Sequence, residues 1–315
     1  MTTAAARRVL ERTRGRAVTT AMVTRFNCAT RTDRTRVRTP CSPAESPRPD
    51  SEARWGACRF PHESAGSVTN EVVELSTRLV SLCFDATDPL RLARFWAACL
   101  LWEIDDQTAE AIALVPTDGT RLPFLFVPVR EPKAGKSRIH LDLVSESPEH
   151  KSEMVSRLIT LGAQHVDIGQ SSEEEHVVIA DPEGNEFCVV LRGDFLATTD
   201  LVGSLVFEPA DPVVGRFWSE AAGWPMVYDQ DGDTAIRAPD GRGPFLPFGP
   251  PTGAAKRGKN RLHLDIAPPA DGDQAAEVER LIALGARRVD IGQGDVSWVV
   301  MADPEGNEFC VLTPR

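Results

Sequence analysis

Two short strings in this 315-residue sequence set a histidine two positions before an aspartate: Arg138-Ile139-His140-Leu141-Asp142-Leu143 and Arg261-Leu262-His263-Leu264-Asp265-Ile266. Polar and apolar residues alternate in both, which is the period of a strand whose two faces meet different surroundings. Arg138, His140 and Asp142 therefore share one face, as do Arg261, His263 and Asp265, and the apolar face belongs under helices. A second pair of strings, Glu186-Phe187-Cys188-Val189 and Glu308-Phe309-Cys310-Val311, puts a carboxylate on one strand face in the same way. An imidazole and a carboxylate in a concave site make an acid–base pair, and both are common ligands of divalent metals. Cys188 and Cys310 stand in apolar runs, where cysteine is expected to pack as a small hydrophobe.

These strings belong to a duplication. "GKSRIHLDL" at 135–143 recurs as "GKNRLHLDI" at 258–266, "LGAQHVDIGQ" at 161–170 as "LGARRVDIGQ" at 284–293, and "VVIADPEGNEFCVV" at 177–190 as "VVMADPEGNEFCVL" at 299–312. Order and spacing are kept, so each copy is a domain-sized unit, placed at 75–193 and 200–315. Within copy one a strand over 78–84 leads to a helix opened by Asp88-Pro89, and three strands follow. A strand over 138–144, a helix capped at Ser147-Pro148 and ended at Gly162, and three more strands complete it. Each half thus reads strand, helix, three strands. In DPEGN, Asp181, Pro182 and Gly184 are read as turn residues before the last strand.

Composition divides the chain differently. The whole carries a net charge of −11, but residues 1–70 hold thirteen arginines, no lysine and six acids. That stretch has few apolar residues and is read as a disordered tail, or as coding sequence upstream of the true start. The duplicated part is strongly acidic, which argues against nucleic acid as a partner. No run of eighteen apolar residues suggests a membrane span. Seven cysteines without C-x-x-C spacing fit a reducing compartment, and the expected location is cytoplasmic.

The doubled order of elements, with the strings HLDL, LGA and DPEGNEFC, resembles the vicinal oxygen chelate superfamily of glyoxalase, bleomycin-resistance and dioxygenase proteins. Within it the likeness is to the glyoxalase-like branch common in high-GC bacteria. The resemblance covers both copies and implies an α+β fold of two tandem domains, each a pair of βαβββ modules closing into a cup-shaped sheet. It implies His140 with Glu186 in one cup and His263 with Glu308 in the other, as candidate catalytic or metal-binding residues. The superfamily's metal sites use four positions, two per half. Here the first-strand positions fall at Ser81 and Ser204, and the fourth strands (123–128 and 245–249) hold no His, Asp or Glu. Two protein ligands are too few for a tight site, so the expectation is no cofactor or a divalent metal completed by substrate. Phe126 and Phe248 on the fourth strands, with Trp102 and Trp224 at the rim, are expected to wall the cups against Arg138, Asp142, Arg261 and Asp265. Phe95, Trp96, Phe217 and Trp218 lie at core spacing on the first helices.

Three functions follow from the resemblance. One is a binding protein that sequesters a drug or metabolite. Another is a metal-assisted lyase, isomerase or dioxygenase acting on a small oxygenated metabolite. The third is a scaffold whose copies pair with each other or across a homodimer.

Overall fold

The computed structural model describes residues 77–169, 176–208, 211–230, 232–249, 256 and 258–315; the Arg-rich stretch 1–70 lies outside the described residues. Copy one supplies β1 (Arg78–Ala86), α1 (Pro89–Leu100), β2 (Glu103–Gln107), β3 (Ile112–Val115) and β4 (Phe124–Pro128), and then β5 (Ile139–Ser145), α2 (Pro148–Leu161), β6 (Gln164–His165), β7 (Val177–Ala180) and β8 (Glu186–Leu191). Copy two repeats the order as β9 (Val202–Phe207), α3 (Pro212–Ala222), β10 (Met226–Gln230), β11 (Asp233–Ile236) and β12 (Leu246–Phe248), followed by β13 (Leu262–Ala267), α4 (Gln274–Ala283), β14 (Arg287–Arg288), β15 (Val299–Ala302) and β16 (Glu308–Val311).

Local chemistry explains the helix ends. Asp88, Ser147 and Asp211 each accept a backbone N–H of the first turn, with proline next in sequence, and Asp273 caps α4 in the same way. Gly162 closes α2 with φ 115, a conformation glycine adopts without steric penalty. At the corresponding end of α1 stands Leu101, with φ 58 and 71% of its surface exposed, where copy two has Gly223.

The strands pair across the copies. Sheet I runs β14-β15-β16-β13-β1-β4-β3-β2, and sheet II runs β10-β11-β12-β9-β5-β8-β7-β6. Each sheet therefore joins the first half of one copy to the second half of the other, and not the two halves of a single copy as expected. The joints are antiparallel. Cys83 faces His263 and Ser81 faces Asp265 across β1 and β13, while His140 faces Val206 and Asp142 faces Ser204 across β5 and β9. The likeness of β5 to β13 is the physical reason the sequence pattern leaves this choice open: either strand presents the same faces to β1.

One apolar core spans both sheets. Phe84 and Phe124 of sheet I pack against Trp96, with Phe126 behind Phe84, and the Trp96 ring lies 4.9 Å from Phe187 of sheet II; Trp218 stands 5.2 Å from Phe309 in the mirror arrangement. The DPEGN turns lock this packing. Asp181 accepts the N–H groups of Glu183 and Asn185, the Asn185 side-chain amide and the Trp96 indole N–H at 3.3 Å. Asp303 repeats all four bonds around Trp218. Burial pushes the Asp181 carboxyl up to about 6. Asp181 and Asp303 are thus turn residues that also hold the helix of the opposite sheet.

The glutamates of the same turns clasp the two sheets. Glu183 accepts the backbone N–H groups of Thr87 and Asp88 and the Thr87 hydroxyl, and it pairs with Arg261 at 3.0 Å. Glu305 accepts the Asp211 N–H and pairs with Arg138 at 2.6 Å. Burial raises the Glu183 carboxyl, but the bonds from Thr87 and Asp88 and the Arg261 charge outweigh it and hold the group below its ordinary 4.5.

Glu183→Gln is expected to cost about 2–4 kcal/mol at neutral pH, because it strands Arg261 in a poorly solvated site. A depressed carboxyl adds stability above its unfolded value and loses it as pH falls through the folded value. The gap between wild type and variant should therefore narrow below the ordinary 4.5; urea midpoints at neutral and acid pH read it, and identical neutral midpoints would show that the clasp contributes nothing. Leu101→Gly should stabilise by about 1 kcal/mol, since a left-handed leucine is strained and this exposed side chain packs little. A lower melting temperature in that variant would contradict the assignment.

Candidate functional site

Strand alternation divides each sheet between helices and cup. In β1, Leu82 and Phe84 enter the core under α1, so Ser81, Cys83 and Asp85 occupy the inner face. His263 and Asp265 of β13 and Glu308 and Cys310 of β16 continue that face. Ser81 Oγ and Cys83 Sγ both donate to Asp265 Oδ2 at 2.9 Å, and His263 Nε2 lies 3.7 Å from Asp265 Oδ1. Cys310 is the register partner of Asp265 on the other side, on the same inner face. Cys83, His263, Asp265 and Cys310 are all buried. Burial, with the Asp265 charge beside it, pushes the Cys83 thiol well above its ordinary value, and burial pushes the His263 imidazole down. At neutral pH the two cysteines are thiols and the imidazole is neutral. His263 Nδ1 is buried without a hydrogen-bond partner among the described residues.

Sheet II builds a related but different centre. Ser204 Oγ donates to Asp142 Oδ2 at 2.6 Å, and His140 Nε2 lies 3.5 Å from Asp142 Oδ1 with Cys188 alongside. Burial alone would lower His140, but hydrogen bonds to Asp142 and Cys188 outweigh it and hold the imidazole well above its ordinary value. Val206 stands where sheet I has Cys83. Beyond Asp142 the inner face turns apolar: Val144, Leu196 and Phe245 cluster there with Phe195 of the segment joining the copies. Arg192 and Arg237 hold that segment by its backbone carbonyls, and the Arg237 guanidinium lies 4.3 Å over the Phe245 ring.

Several sequence candidates occupy other places. Glu186 accepts Lys133 Nζ at 2.7 Å and the Ser137 N–H at 3.1 Å; Glu308 accepts Lys256 Nζ at 2.6 Å and the Asn260 N–H at 3.1 Å. Both glutamates fasten the chain leading into the His-bearing strand. Asp142 and Asp265 stand 3.5 and 3.7 Å from the imidazoles of their own strands, while Glu186 and Glu308 are engaged by lysines. Arg138 and Arg261 serve the inter-sheet clasp and do not pair with the aspartates on their own strands. Phe126 and Phe248 point into the core, against Phe84 at 5.1 Å and Phe207 at 4.9 Å, and expose no surface to a ligand. Leu125 and Val127 take the inner face of β4, one step out of phase with the expected wall. Trp102 is buried against Phe124 and donates its indole N–H to Asp118, and Trp224 is half-buried against the core. Sequence reasoning assigned no chemistry to Cys188 and Cys310, and it admitted Cys83, with Asp85 and Glu208, only as an optional further metal ligand that no spacing demands. The signal of the three cysteines was the same alternation: each lies two residues from Ser81, Glu186 or Glu308, and so on the polar face.

Two cups lined by buried polar groups, carried on duplicated βαβββ halves, define the class of protein. A family model described as a glyoxalase-like domain matches residues 81–190 and 204–312, and the chain belongs to that family. Among solved structures it is similar to glyoxalase I from Zea mays, with 15% identity, a TM-score of 0.55, and 76% of this chain and 93% of that chain covered. It is also similar to a putative dioxygenase from Bacillus subtilis subsp. subtilis str. 168, with 15% identity, a TM-score of 0.52, and coverage of 76% and 85%. No curated protein matches. Among the described residues no helix is long and apolar enough to cross a membrane.

Removing the Asp265 charge should ease ionisation of the neighbouring thiols. Asp265→Asn is expected to raise the alkylation rate of Cys83 and Cys310 by iodoacetamide at mildly alkaline pH, resolved peptide by peptide by mass spectrometry. Unchanged rates at both cysteines would refute the carboxylate's hold on them.

Proposed function

We propose that this glyoxalase-like protein binds a small oxygenated organic molecule on the inner faces of its two sheets, over the His–Asp–Cys groups. The carrying observation is that the same three residue types, His140, Asp142 and Cys188 or His263, Asp265 and Cys310, share the inner face of both cups, all buried except the half-buried His140. Burying an imidazole, a carboxylate and a thiol costs desolvation that apolar side chains of similar volume would avoid. Such departures from core chemistry concentrate where a protein works. The raised imidazole of His140 suits a carbonyl or carboxylate oxygen as the group to be held. The four described cysteines are all buried and free, in keeping with work in a reducing, cytoplasmic setting. Pairing of the copies within one chain supplies both halves of each cup, and a homodimer is not needed to complete either.

A second reading, a metal-assisted lyase, isomerase or dioxygenase, is favoured by the closeness of the donor atoms of Cys83, His263 and Asp265, and of His140, Asp142 and Cys188, which lie within 4.8 Å of one another in each set. The four positions used across the superfamily do not fit it. Ser81 and Ser204 are engaged with aspartates, β4 and β12 are apolar, and Glu186 and Glu308 are held by lysines. Acid–base work by His140 beside Asp142 does not depend on those positions.

A thermal-shift screen against 2-oxo acids, 2-oxoaldehyde adducts and aromatic antibiotics tests the proposal. A hit should raise the melting temperature of wild type and lose that effect in the paired variant His140→Ala with His263→Ala. A hit equally effective on the paired variant would place the ligand elsewhere and end this reading.

A further inference from the structure

The two cups differ at one position that decides what each can hold. We propose that the inner face of sheet I is a site for a thiophilic divalent metal of the zinc class, held by Cys83, His263 and Asp265 with Cys310 as a further donor, and that sheet II is not. Only His263 belongs both to this set and to the superfamily's four positions, so the site has a composition of its own. It also stands independently of the organic ligand proposed above.

Geometry assembles the donors. Cys83 lies across the joint from His263, and Cys310 lies across β13 from Asp265, so one carboxylate sits between two thiols and beside an imidazole. One sulfur, one nitrogen and one oxygen come within 4.8 Å of each other. Zinc takes sulfur at about 2.3 Å and nitrogen or oxygen at about 2.0–2.2 Å, so the triad needs only a modest contraction. Mixed thiolate, imidazole and carboxylate donors suit zinc over the hard cations magnesium and calcium.

Hydrogen bonding adds a second observation. A buried polar atom without a partner is costly, and His263, only 8% exposed, carries one in its Nδ1. The Ser81 hydroxyl and the Cys83 thiol both spend their protons on Asp265, an arrangement that satisfies these donors but leaves the imidazole nitrogen unsatisfied. Sheet II has no such orphan at its histidine. His140 Nε2 lies 3.5 Å from Asp142 Oδ1 with Cys188 alongside, and Val206 removes the second thiol, leaving only three donors, all from one copy. Around sheet I the carboxylates of Asp85 and Glu308 are paired with Lys259 and Lys256, so they steady the strands and leave Asp265 as the charge at the centre.

On binding, each ligating thiol gives its proton to solvent, and the metal–sulfur bond replaces the sulfur–hydrogen bond with no change of oxidation state. The test uses the full chain with Cys28, Cys41 and Cys58 replaced by serine, freed of metal by chelator and titrated with cobalt(II) and then zinc. Wild-type cups should take up one cobalt per chain with a near-ultraviolet thiolate-to-cobalt charge-transfer band, and zinc should displace it. Cys83→Val, which installs the residue copy two uses, should weaken uptake at least about 100-fold. Val206→Cys should add a second cobalt, a gain that no folding defect can imitate. No cobalt band in the chain with both cups intact, an unchanged titration in Cys83→Val, or loss of the band in His140→Ala with His263 intact would each overturn the proposal. Metal binding without any organic hit would leave this inference standing and count against the function proposed above.

Discussion

The rest of the molecule hangs on two antiparallel joints, β1 against β13 and β5 against β9, where a strand of one copy is hydrogen-bonded to a strand of the other. Each joint brings a first-half strand beside a His-Asp strand, so that Ser81 and Cys83 meet His263 and Asp265, and Ser204 meets Asp142. Neither cup exists within a single copy. Unzipping a joint would expose a sheet edge and separate the serine and thiol of one copy from the imidazole and carboxylate of the other. Duplication has here produced two mutually dependent halves of one body rather than two beads on a string.

Hydrogen bonds within the strands do not by themselves hold sheet I to sheet II, and the DPEGN turns do that. A tight turn needs only an acceptor, a proline and a residue tolerant of positive φ, yet these turns carry two further loads. The aspartate reaches the tryptophan of the other sheet's helix, and the glutamate caps that helix and pairs with an arginine. Arg157 and Arg280 add bonds to the last carbonyls of α1 and α3, which closes the ends of the same helices. The near-identity of the two DPEGNEFC strings follows from this: both turns do the same mechanical work against the same partners.

Much of the fold was legible because its signals are local. The helices begin at Asp88, Ser147 and Asp211 as their caps and prolines require, and the strand faces follow from alternation. Which half pairs with which was not legible, because Ile139–Leu143 and Leu262–Ile266 offer β1 almost the same surface. The site was half legible. His140, Asp142, His263 and Asp265 were placed on the inner face by alternation alone. Glu186 and Glu308 were placed on that face as well, but their lysine partners come from distant loops that no period reveals. Phe126 and Phe248 failed for a simpler reason: counted by residue type they make an apolar wall, whereas counted by phase with Phe124 and Leu246 they belong to the core. Cys188 and Cys310 are buried as their apolar runs require, and their place beside the His-Asp pairs was hidden because an apolar run conceals a polar face whenever its polar members are small.

A duplicated chain can keep one centre and let the other drift, and the two cups show where that has happened. Their common floor is serine, histidine, aspartate and cysteine, and it survives in both. Cys83 against Val206 is a change from ligand to hydrocarbon at the joint itself. Ala267 against Val144 marks a second change, because Val144 is where Phe195, Leu196 and Phe245 gather. That cluster draws the segment between the copies over one cup and has no counterpart of the same sequence origin over the other, since only one segment joins two copies. Symmetry was therefore broken by connectivity before any side chain changed. A cup with an aromatic border beside a raised imidazole suits an organic ligand, and a cup with two thiols around a carboxylate suits a metal. The same fold thus gives its two inner faces different chemistry through a handful of positions on the central strands.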